Sequence, residues 1–403
     1  MALISVEEAL SRVLDGVKPL SAHVVPLAEA YGRVLAADLV SLRTQPPAAV
    51  SAMDGYAVRN TDVASAPVDL KLVGEVAAGR PFAGTIGFGE TARIFTGGVL
   101  PPGSDTVVIQ ENTQRRGDMI TVTVPASRGR HVRPAGLDFA QGDVLLAKGR
   151  RLTGRDVALA ASMNHPTVAV FRRPTVAMLA TGDELVQPGL TPAPDRIVSS
   201  NGFALAAIAR AEGAETLDLG IVPDDRDATM AAIRQARRAG ADILTTTGGA
   251  SVGDRDLVHD ALVAEGMALS FWKVAVRPGR PMMHGRVGDM RVLGLPGNPV
   301  SAFVCAYLFL APLIRRLTGR TDLHAPRESA VLGRELPEND ERTDYLRATL
   351  ARDADGNLIA TPFQVQDSSM LVPLTKADCL IVRAPFAPAA RAGSSCDFVR
   401  IDC

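Results

Sequence analysis

The chain is poor in the residues that staple small folds or hold metals. Only 4 of its 403 residues are cysteine, and Cys305, Cys379, Cys396 and Cys403 form no Cys-x-x-Cys pair. The 6 histidines show no His-x-x-x-His spacing. These absences exclude a disulfide framework and argue against a zinc site. Cys305 sits in an apolar run and reads as a buried thiol. Charge of one sign is also lacking. The formal net charge is −1, so no overall field steers the molecule to nucleic acid or an anionic membrane, and neither partner is expected. The longest apolar run, 300–314, is short for a bilayer and contains Pro312, so a core helix is expected there. Residues 1–11 carry neither a basic n-region nor an apolar h-region, so secretion is not expected and a reduced, cytoplasmic setting is. Lysine is scarce as well. Only Lys18, Lys71, Lys148, Lys273 and Lys376 appear among 43 basic residues, which sets each one apart.

What is present is a 47% apolar composition, ordinary for a globular protein, on a chain long enough for about two to four domains. Residues 3–18 have helical spacing, with Ser5 as cap and Glu8 completing a capping box. The pattern continues over 26–40, so a mainly helical first segment is expected. Arg151–Met163 reads as a helix capped by Thr153 that packs back on this segment. Between them, 68–124 is rich in Gly, Val and Thr in short alternating runs, the signature of a β domain. Pro46-Pro47 forces an extended loop, and Asp54-Gly55 marks a turn.

From Pro174 strands and helices alternate. Strands are expected at 175–180, 215–222, 242–246, 267–274 and 291–295, with helices at 201–212, 227–239, 254–265 and in the greasy run. Repeated units of this kind imply a doubly wound, mostly parallel sheet, whose ligands bind where strands end. The distinctive loops are expected at such ends. Thr247-Gly248-Gly249-Ala250-Ser251-Val252-Gly253-Asp254 joins a strand to a helix and suits an anion, because glycines admit backbone N–H groups and the helix N-terminus adds positive charge. A plain glycine turn is the alternative. The acids Asp183, Glu184, Asp224, Asp225, Asp254 and Asp256, the bases Lys273, Arg277 and Arg280, and Gly182, Gly279 and Gly297 would gather at the same edge. Carboxylates beside glycine-bound phosphate suit Mg2+, and clustered cations suit an oxyanion. Asp225 and Asp256 read better as helix caps. After Gly319 the chain turns β-like, with a hairpin signal at Asp353-Ala354-Asp355-Gly356.

Five motifs occur in order: Ser51-Ala52-Met53-Asp54-Gly55-Tyr56-Ala57, Thr96-Gly97-Gly98, Thr181-Gly182-Asp183-Glu184-Leu185, Gly248 to Asp254, and Leu295-Pro296-Gly297-Asn298-Pro299-Val300-Ser301. In this the chain resembles the molybdopterin molybdotransferases, the MoeA and gephyrin E-domain family, over nearly its whole length. The resemblance implies a multidomain α/β plus β architecture. Its parts would be a helical segment (1–42 with 139–173), an inserted β domain (43–138), a molybdopterin-binding α/β domain (174–322) and a C-terminal, small barrel-like all-β domain (323–403). It implies a homodimer whose cleft lies between one subunit's sheet domain and the partner's β domain. It further implies that molybdate is inserted into adenylylated molybdopterin with Mg2+-assisted release of AMP. Asp54, Thr96, Glu184, Asp254 and Lys273 would then be catalytic. Gly182, Asp183, Gly248, Gly249, Ser251, Arg277, Arg280, Pro296, Gly297, Asn298 and Ser301 would bind the substrate, with Asp183, Asp224 and Asp254 on metal. Asp138, Ser368 and Ser369 match family positions more loosely. Molybdopterin adenylyltransferase and molybdoenzyme maturation proteins would be its other partners.

The chain departs from the pattern at Arg277-Pro278-Gly279-Arg280, where the family commonly has Lys before Pro-Gly, at Ala250 in place of Val, and at Gln366–Met370. Two rival readings remain. An adenylyltransferase is disfavoured by the β domain carrying Asp54 and Thr96. A non-catalytic scaffold is disfavoured by the retained acids.

Overall fold

A computed structural model describes residues 3–248 and 257–401. Its centre is a six-stranded sheet in the order Glu215–Val222, Thr175–Thr181, Ile243–Thr247, Met290–Leu295, Met283–Val287, Ala268–Trp272. The first four strands run parallel, and Met283–Val287 is antiparallel to both neighbours. Helix Asn201–Ala211 covers one face with helix Pro299–Leu317, while Arg226–Arg238 and Leu257–Ala264 cover the other. The doubly wound sheet is therefore as the strand–helix alternation implies. Met283–Val287 was not among the expected strands, because it follows Pro281 too closely to stand out as a separate run.

The greasy helix Pro299–Leu317 is 19 residues long, with mean hydropathy 1.6, and is 72% buried in this core. It tolerates Pro312 by opening into a π turn over Ala306–Leu310, which absorbs the carbonyl that proline cannot bond. Cys305 lies fully buried in it.

The first segment is less helical than its spacing suggests. Only Val6–Leu14 and Gly154–Ser162 are α-helices among its described residues. Ser5 caps the first, accepting from Glu8 N at 3.1 Å, but the Glu8 carboxylate pairs with Arg12 and the box stays half made. The capping box forms instead at Thr153 and Asp156. Residues 26–40 hold no α-helix, only a 3-10 turn at Leu27–Glu29. Ala22–Pro26 is a strand paired antiparallel with Thr167–Phe171, and Leu39–Val40 pairs with Val144–Leu146. Tertiary pairing has overridden the 3.6-residue spacing here. Val25, Leu35 and Leu39 share a core with Leu146, Ala160 and Val170, so this stretch does pack against 139–171. The helix Val6–Leu14 does not join them. Its Val6, Ala9 and Val13 enter the core of the central sheet, against Phe309 and Leu313.

The inserted sheet is six-stranded, in the order Thr106–Ile109, Gly55–Val58, Glu90–Ile94, Val68–Val76, Met119–Val122, Thr113–Arg116. The last sheet closes on itself. Thr343–Arg352 pairs with both Leu358–Pro362 and Cys379–Arg383, and the ring is completed through Glu328–Leu332 and Ser395–Arg400. The result is a five-stranded barrel, a form that leaves few open edges. The Asp353 hairpin forms as its residues imply, with Asp353 Oδ1 accepting from Asp355 N and Asn357 N.

Candidate active site

The register of the central sheet levels the strand ends. Thr181 lies opposite Val222, Ala180 opposite Thr247, and Thr247 opposite Leu295. The loops that begin at Gly182, Pro223, Gly248 and Pro296 therefore leave from one edge. The chain passes from Thr175–Thr181 to the strand on one side and then to the strand on the other, so the switch point falls between Thr181 and Thr247. That is where a crevice opens in sheets of this type. Gly248 has φ +91, and a Cβ there would stand 2.2 Å from Thr181 O. Only glycine fits this close approach. Gly297 faces it, with Gly248 Cα 3.8 Å from where its own Cβ would be. Gly182 has φ +147, and a Cβ on it would strike Glu184 Oε2 at 2.5 Å, so this carboxylate folds back over the glycine. The Thr181 hydroxyl is buried at this crossing with no hydrogen-bond partner among the described residues, a deficit that native interiors rarely tolerate.

Asp183 and Asp224 meet at the neighbouring pair of ends, where Asp224 N donates to Asp183 Oδ1 at 3.2 Å. Both side chains are exposed, as is that of Glu184. Asp225 caps Arg226–Arg238, accepting from Ala228 N at 2.8 Å, so the capping reading holds for it. Gly249, Ser251, Asp254 and Asp256 lie outside the described residues.

The loop after Leu295 is tied down by two distant segments. Asn201 Nδ2 donates to Gly297 O at 2.7 Å. Asn298 Nδ2 donates to Ser368 Oγ at 2.8 Å, and Val300 N donates to Ser368 O at 3.0 Å. Ser368 is held there by the fully buried Arg347, whose guanidinium donates to Gln366 Oε1, Asp367 O and Met370 O. Ser369 turns away and donates to Asp367 Oδ1. Pro296 and Ser301 are buried behind the loop. Asn201 was not singled out in the sequence, since an Asn opening a helix reads as an ordinary cap.

The three basic candidates separate. Lys273 ends the strand Ala268–Trp272, two strand spacings or about 10 Å from the end of Met290–Leu295. Its φ is +116, a conformation that costs a non-glycine residue about 1–3 kcal/mol and that tends to occur at functional sites. Its ammonium has no hydrogen bond or ion pair among the described residues. Val274 N and Met282 N both donate to Arg280 O, which places Arg280 at the base of the same loop with an exposed side chain. Arg277 is elsewhere. Val276–Arg277 leaves the central sheet and pairs with the barrel strand Thr343–Arg352. Its guanidinium donates to both Asp344 oxygens, to Asp340 Oδ2 at 3.2 Å and to Asn339 Oδ1 at 2.9 Å. Four of its five N–H donors thus dock the barrel, while one Nη1 N–H is left over and the side chain stays 42% exposed, so docking is shown and a contact with substrate remains open to it.

On the inserted sheet, Gly55 lies opposite Ile94, which brings the Asp54 turn beside the Thr96 loop. Thr96 donates to Asp54 Oδ1 twice, from N and from Oγ1, each at 2.7 Å. These bonds, with Arg93 nearby, lower the Asp54 pKa below its ordinary value, so an exposed carboxylate stays ionised with Oδ2 unused. Arg93 stacks between Tyr56 and Phe95, 5.1 and 4.9 Å from their ring centres, and braces both loops. Among the described residues no hydrogen bond or ion pair joins Asp54 or Thr96 to the loops at 181–184, 223–225 or 296–301. Asp138 bonds only through its backbone, to Gln45 O.

The site loops fall in three stretches with known counterparts. Residues 4–164 match the MoeA N-terminal region (domain I and II), 177–316 the family described as "Probable molybdopterin binding domain", and 329–401 the MoeA C-terminal region (domain IV). The chain is 33% identical to the molybdopterin molybdenumtransferase of Haemophilus influenzae over 94% of both chains. It is 34% identical to that of Bacillus subtilis, over 94% of this chain and 90% of the other. The crystal structure of a molybdopterin biosynthesis MoeA protein from Pyrococcus horikoshii superposes over 99% of both chains with TM-score 0.84 and 30% identity. With three regions matched in order and relatives of this identity along most of its length, the chain belongs to the MoeA family of molybdopterin molybdenumtransferases, enzymes of molybdenum cofactor biosynthesis.

Proposed function

We propose that this enzyme inserts molybdenum from molybdate into adenylylated molybdopterin and releases AMP, in a cleft that two copies of the chain build together. The observation that carries the reading is the pairing of an ionised, half-used carboxylate at Asp54 with a separate glycine crevice that it does not reach within its own chain. The sequence-based division assigns the crevice to an α/β domain at 174–322 and Asp54 to the inserted domain at 43–138. The barrel at 323–403 buttresses Asn298 through Ser368. A homodimer places the inserted domain of one copy over the crevice of the other.

In this cleft the backbone at Gly248 and Gly297 faces the phosphate, Gly182 sits beside them under the Glu184 carboxylate, and Thr181 offers its hydroxyl. Gly249 and Ser251 continue that cradle in the reading from sequence, with Pro296, Asn298 and Ser301 shaping its far wall. Asp54 stays ionised and would accept a hydrogen bond from the water that attacks the phosphoanhydride, orienting it, while Thr96 fixes the carboxylate. Lys273 and Arg280 attract molybdate and offset the charge that develops on the leaving phosphate. Asp183 and Asp224, whose loops meet through the Asp224 N–H, would offer carboxylate oxygens, with Glu184 next in sequence and Asp254 as a further ligand. That donor set fits Mg2+, which takes one or two carboxylates and shares the rest of its shell with water and phosphate. No group of three acidic, His or Cys side chains forms a closed cage among the described residues. When bound, Mg2+ would neutralise phosphate charge. A cytoplasmic location belongs to the same reading. Exchange of substrate and product with an adenylyltransferase and with molybdoenzyme maturation proteins follows from the reaction.

The test supplies adenylylated molybdopterin, molybdate and Mg2+ in one arm and molybdopterin with ATP in the other. AMP release with molybdenum incorporation in the first arm, lost in Asp54→Ala, is the expected result. ATP consumption in the second arm alone would assign the preceding, adenylylating step instead. Normal insertion by Asp54→Ala would favour a scaffold role for the acids.

A further inference from the structure

Next to the glycine crevice the sheet carries a second hollow. A cavity of about 200 Å³ lies between helix Asn201–Ala211 and the sheet face beneath it. Ala180, Ile221 and Thr247 line it, at or beside the ends of three strands that lead into the site loops. Pockets that enclose a whole ligand begin at about 300 Å³, so this one suits the end of a ligand whose remainder lies on the loops.

Its polar groups have capacity to spare. Asp218 accepts from Gly220 N at 2.8 Å through Oδ1, and its Oδ2 has no partner among the described residues. The strand slips register just here, and Gly220 at φ +78 makes the bulge possible. Arg210 spends Nε and Nη2 on Thr216 Oγ1, at 3.1 and 2.8 Å, which leaves Nη1 without a partner among the described residues. Thr247 is 4% exposed, and its hydroxyl makes no hydrogen bond among the described residues. Phe203, 62% exposed, adds an aromatic ring to the lining.

We propose that this cavity holds the bicyclic ring of molybdopterin, with Asp218 and Arg210 reading its 2-amino-4-oxopyrimidine edge. The inference rests on the proposed reading of the loops as the phosphate and molybdate site. The ring presents two adjacent N–H donors, from the 2-amino group and N3, which a carboxylate accepts. Beside them stands the C4 carbonyl, which a guanidinium N–H satisfies. Adenine places ring-nitrogen acceptors beside its amino group, so a carboxylate there would face lone pairs. The chemistry of the edge therefore selects the pterin end of the substrate over its nucleotide end. Phe203 offers a flat apolar face to the ring.

Fluorescence titration of the full-length protein tests this with three probes: 2-amino-4-oxopteridine, 2,4-dioxopteridine and AMP. The wild type is expected to bind the amino-oxo ring at least about ten-fold more tightly than the dioxo ring, since a site built for a donor rejects the analogue that lacks it. Asp218→Asn is expected to lose that preference. Gly202→Leu supplies the second variant. Gly202 lines the cavity within a helix, and a Cβ on it would meet nothing within 4 Å, so the larger side chain fills the hollow without straining the backbone. That variant is expected to keep its unfolding temperature and its AMP affinity while losing pteridine binding. Equal pteridine affinity in Gly202→Leu and wild type, equal affinity of the wild type for both pteridines, or no pteridine binding at all would overturn the proposal. A wild type that binds the pteridine but fails to insert molybdenum would overturn the reading of the loops and leave the ring site standing.

Discussion

The two ends of the 273–280 loop have the same kind of charge and opposite fates. At the barrel end, Arg277 has its guanidinium surrounded by Asp344, Asp340 and Asn339. At the sheet end, Lys273 has a strained backbone and an ammonium with no partner among the described residues. One end is largely engaged and holds two sheets together. The other is held ready at a cost. Residue type does not distinguish them, since both are cations a few positions apart. What distinguishes them is which sheet the backbone joins, because pairing with Thr343–Arg352 delivers Arg277 to a carboxylate that is itself 3% exposed. Saturated polar groups stabilise a fold, and unsatisfied ones near a crevice are where substrate chemistry can enter.

Variants at the two ends should separate accordingly. The largest effect is expected at Lys273. Lys273→Gly should lower turnover by about 100-fold, the scale of losing one charge-stabilising donor. It should also raise stability by about 0.5–1 kcal/mol, because glycine accepts φ +116 without strain. Steady-state rates and urea melts measure the two together, and a destabilised Lys273→Gly would remove the strain argument. Gly248→Ala comes next. Its Cβ would meet Thr181 O at 2.2 Å in a left-handed conformation, so a loss of about 2–4 kcal/mol is expected in the same melts. A stability within error of wild type would show that the crevice is looser than described.

At the engaged end, Arg277→Met should cost about 1–3 kcal/mol by leaving Asp344 without its counter-ion. Turnover measured well below the melting temperature should stay within about three-fold, and Arg277→Lys should recover only part of the stability, since a point charge cannot replace the fork. Turnover lost as completely as in the Lys273 variant would dissolve the contrast between the two ends.

Acid provides the smallest and broadest test. Burial depresses the His284 pKa to about 4 in the central sheet. A base whose folded pKa lies below its unfolded value near 6.5 contributes stability in full above that value and loses it as pH falls toward 4, about 2 kcal/mol by pH 5. In the barrel region, the Arg342 hydrogen bond lowers the Asp340 pKa to about 2. Its contribution persists down to the ordinary carboxylate range and fades only between there and about 2. Hydrogen exchange across a pH series should therefore show the sheet weakening before the barrel, and His284→Asn should flatten the first phase. Simultaneous loss of protection in both would mean the two unfold as one unit.

Much of the fold is legible in the residues because it is local. The strands at 175–181, 215–222, 243–247 and 290–295 are apolar or alternating runs bounded by glycine and proline, and the Asp353 hairpin and the Thr153 cap are made by neighbours in sequence. The glycine loops are legible for the same reason, since their spacing after a strand needs no distant partner. Residues 26–40 mislead because their spacing fits a helix while the partner that makes Leu39–Val40 a strand lies at 144–146, over a hundred residues away. The strand Met283–Val287 and the departure of Val276–Arg277 into the barrel are likewise settled by pairing across the sheet.

By itself the sequence determined the family, the parallel sheet and the identity of the loops at its edge, because motif order and periodicity are properties of the chain. Only the tertiary structure decided that Thr96 holds Asp54, that Asp183 meets Asp224, that Ser368 and not Ser369 braces Asn298, and that Arg277 is spent on Asp344. Each of these contacts spans between 41 and 70 residues of chain. Sheet register, not local propensity, fixes which loops meet over that distance, and for Arg277 and Asp344, which sit on paired strands, a shift of one residue would turn the side chain to the opposite face.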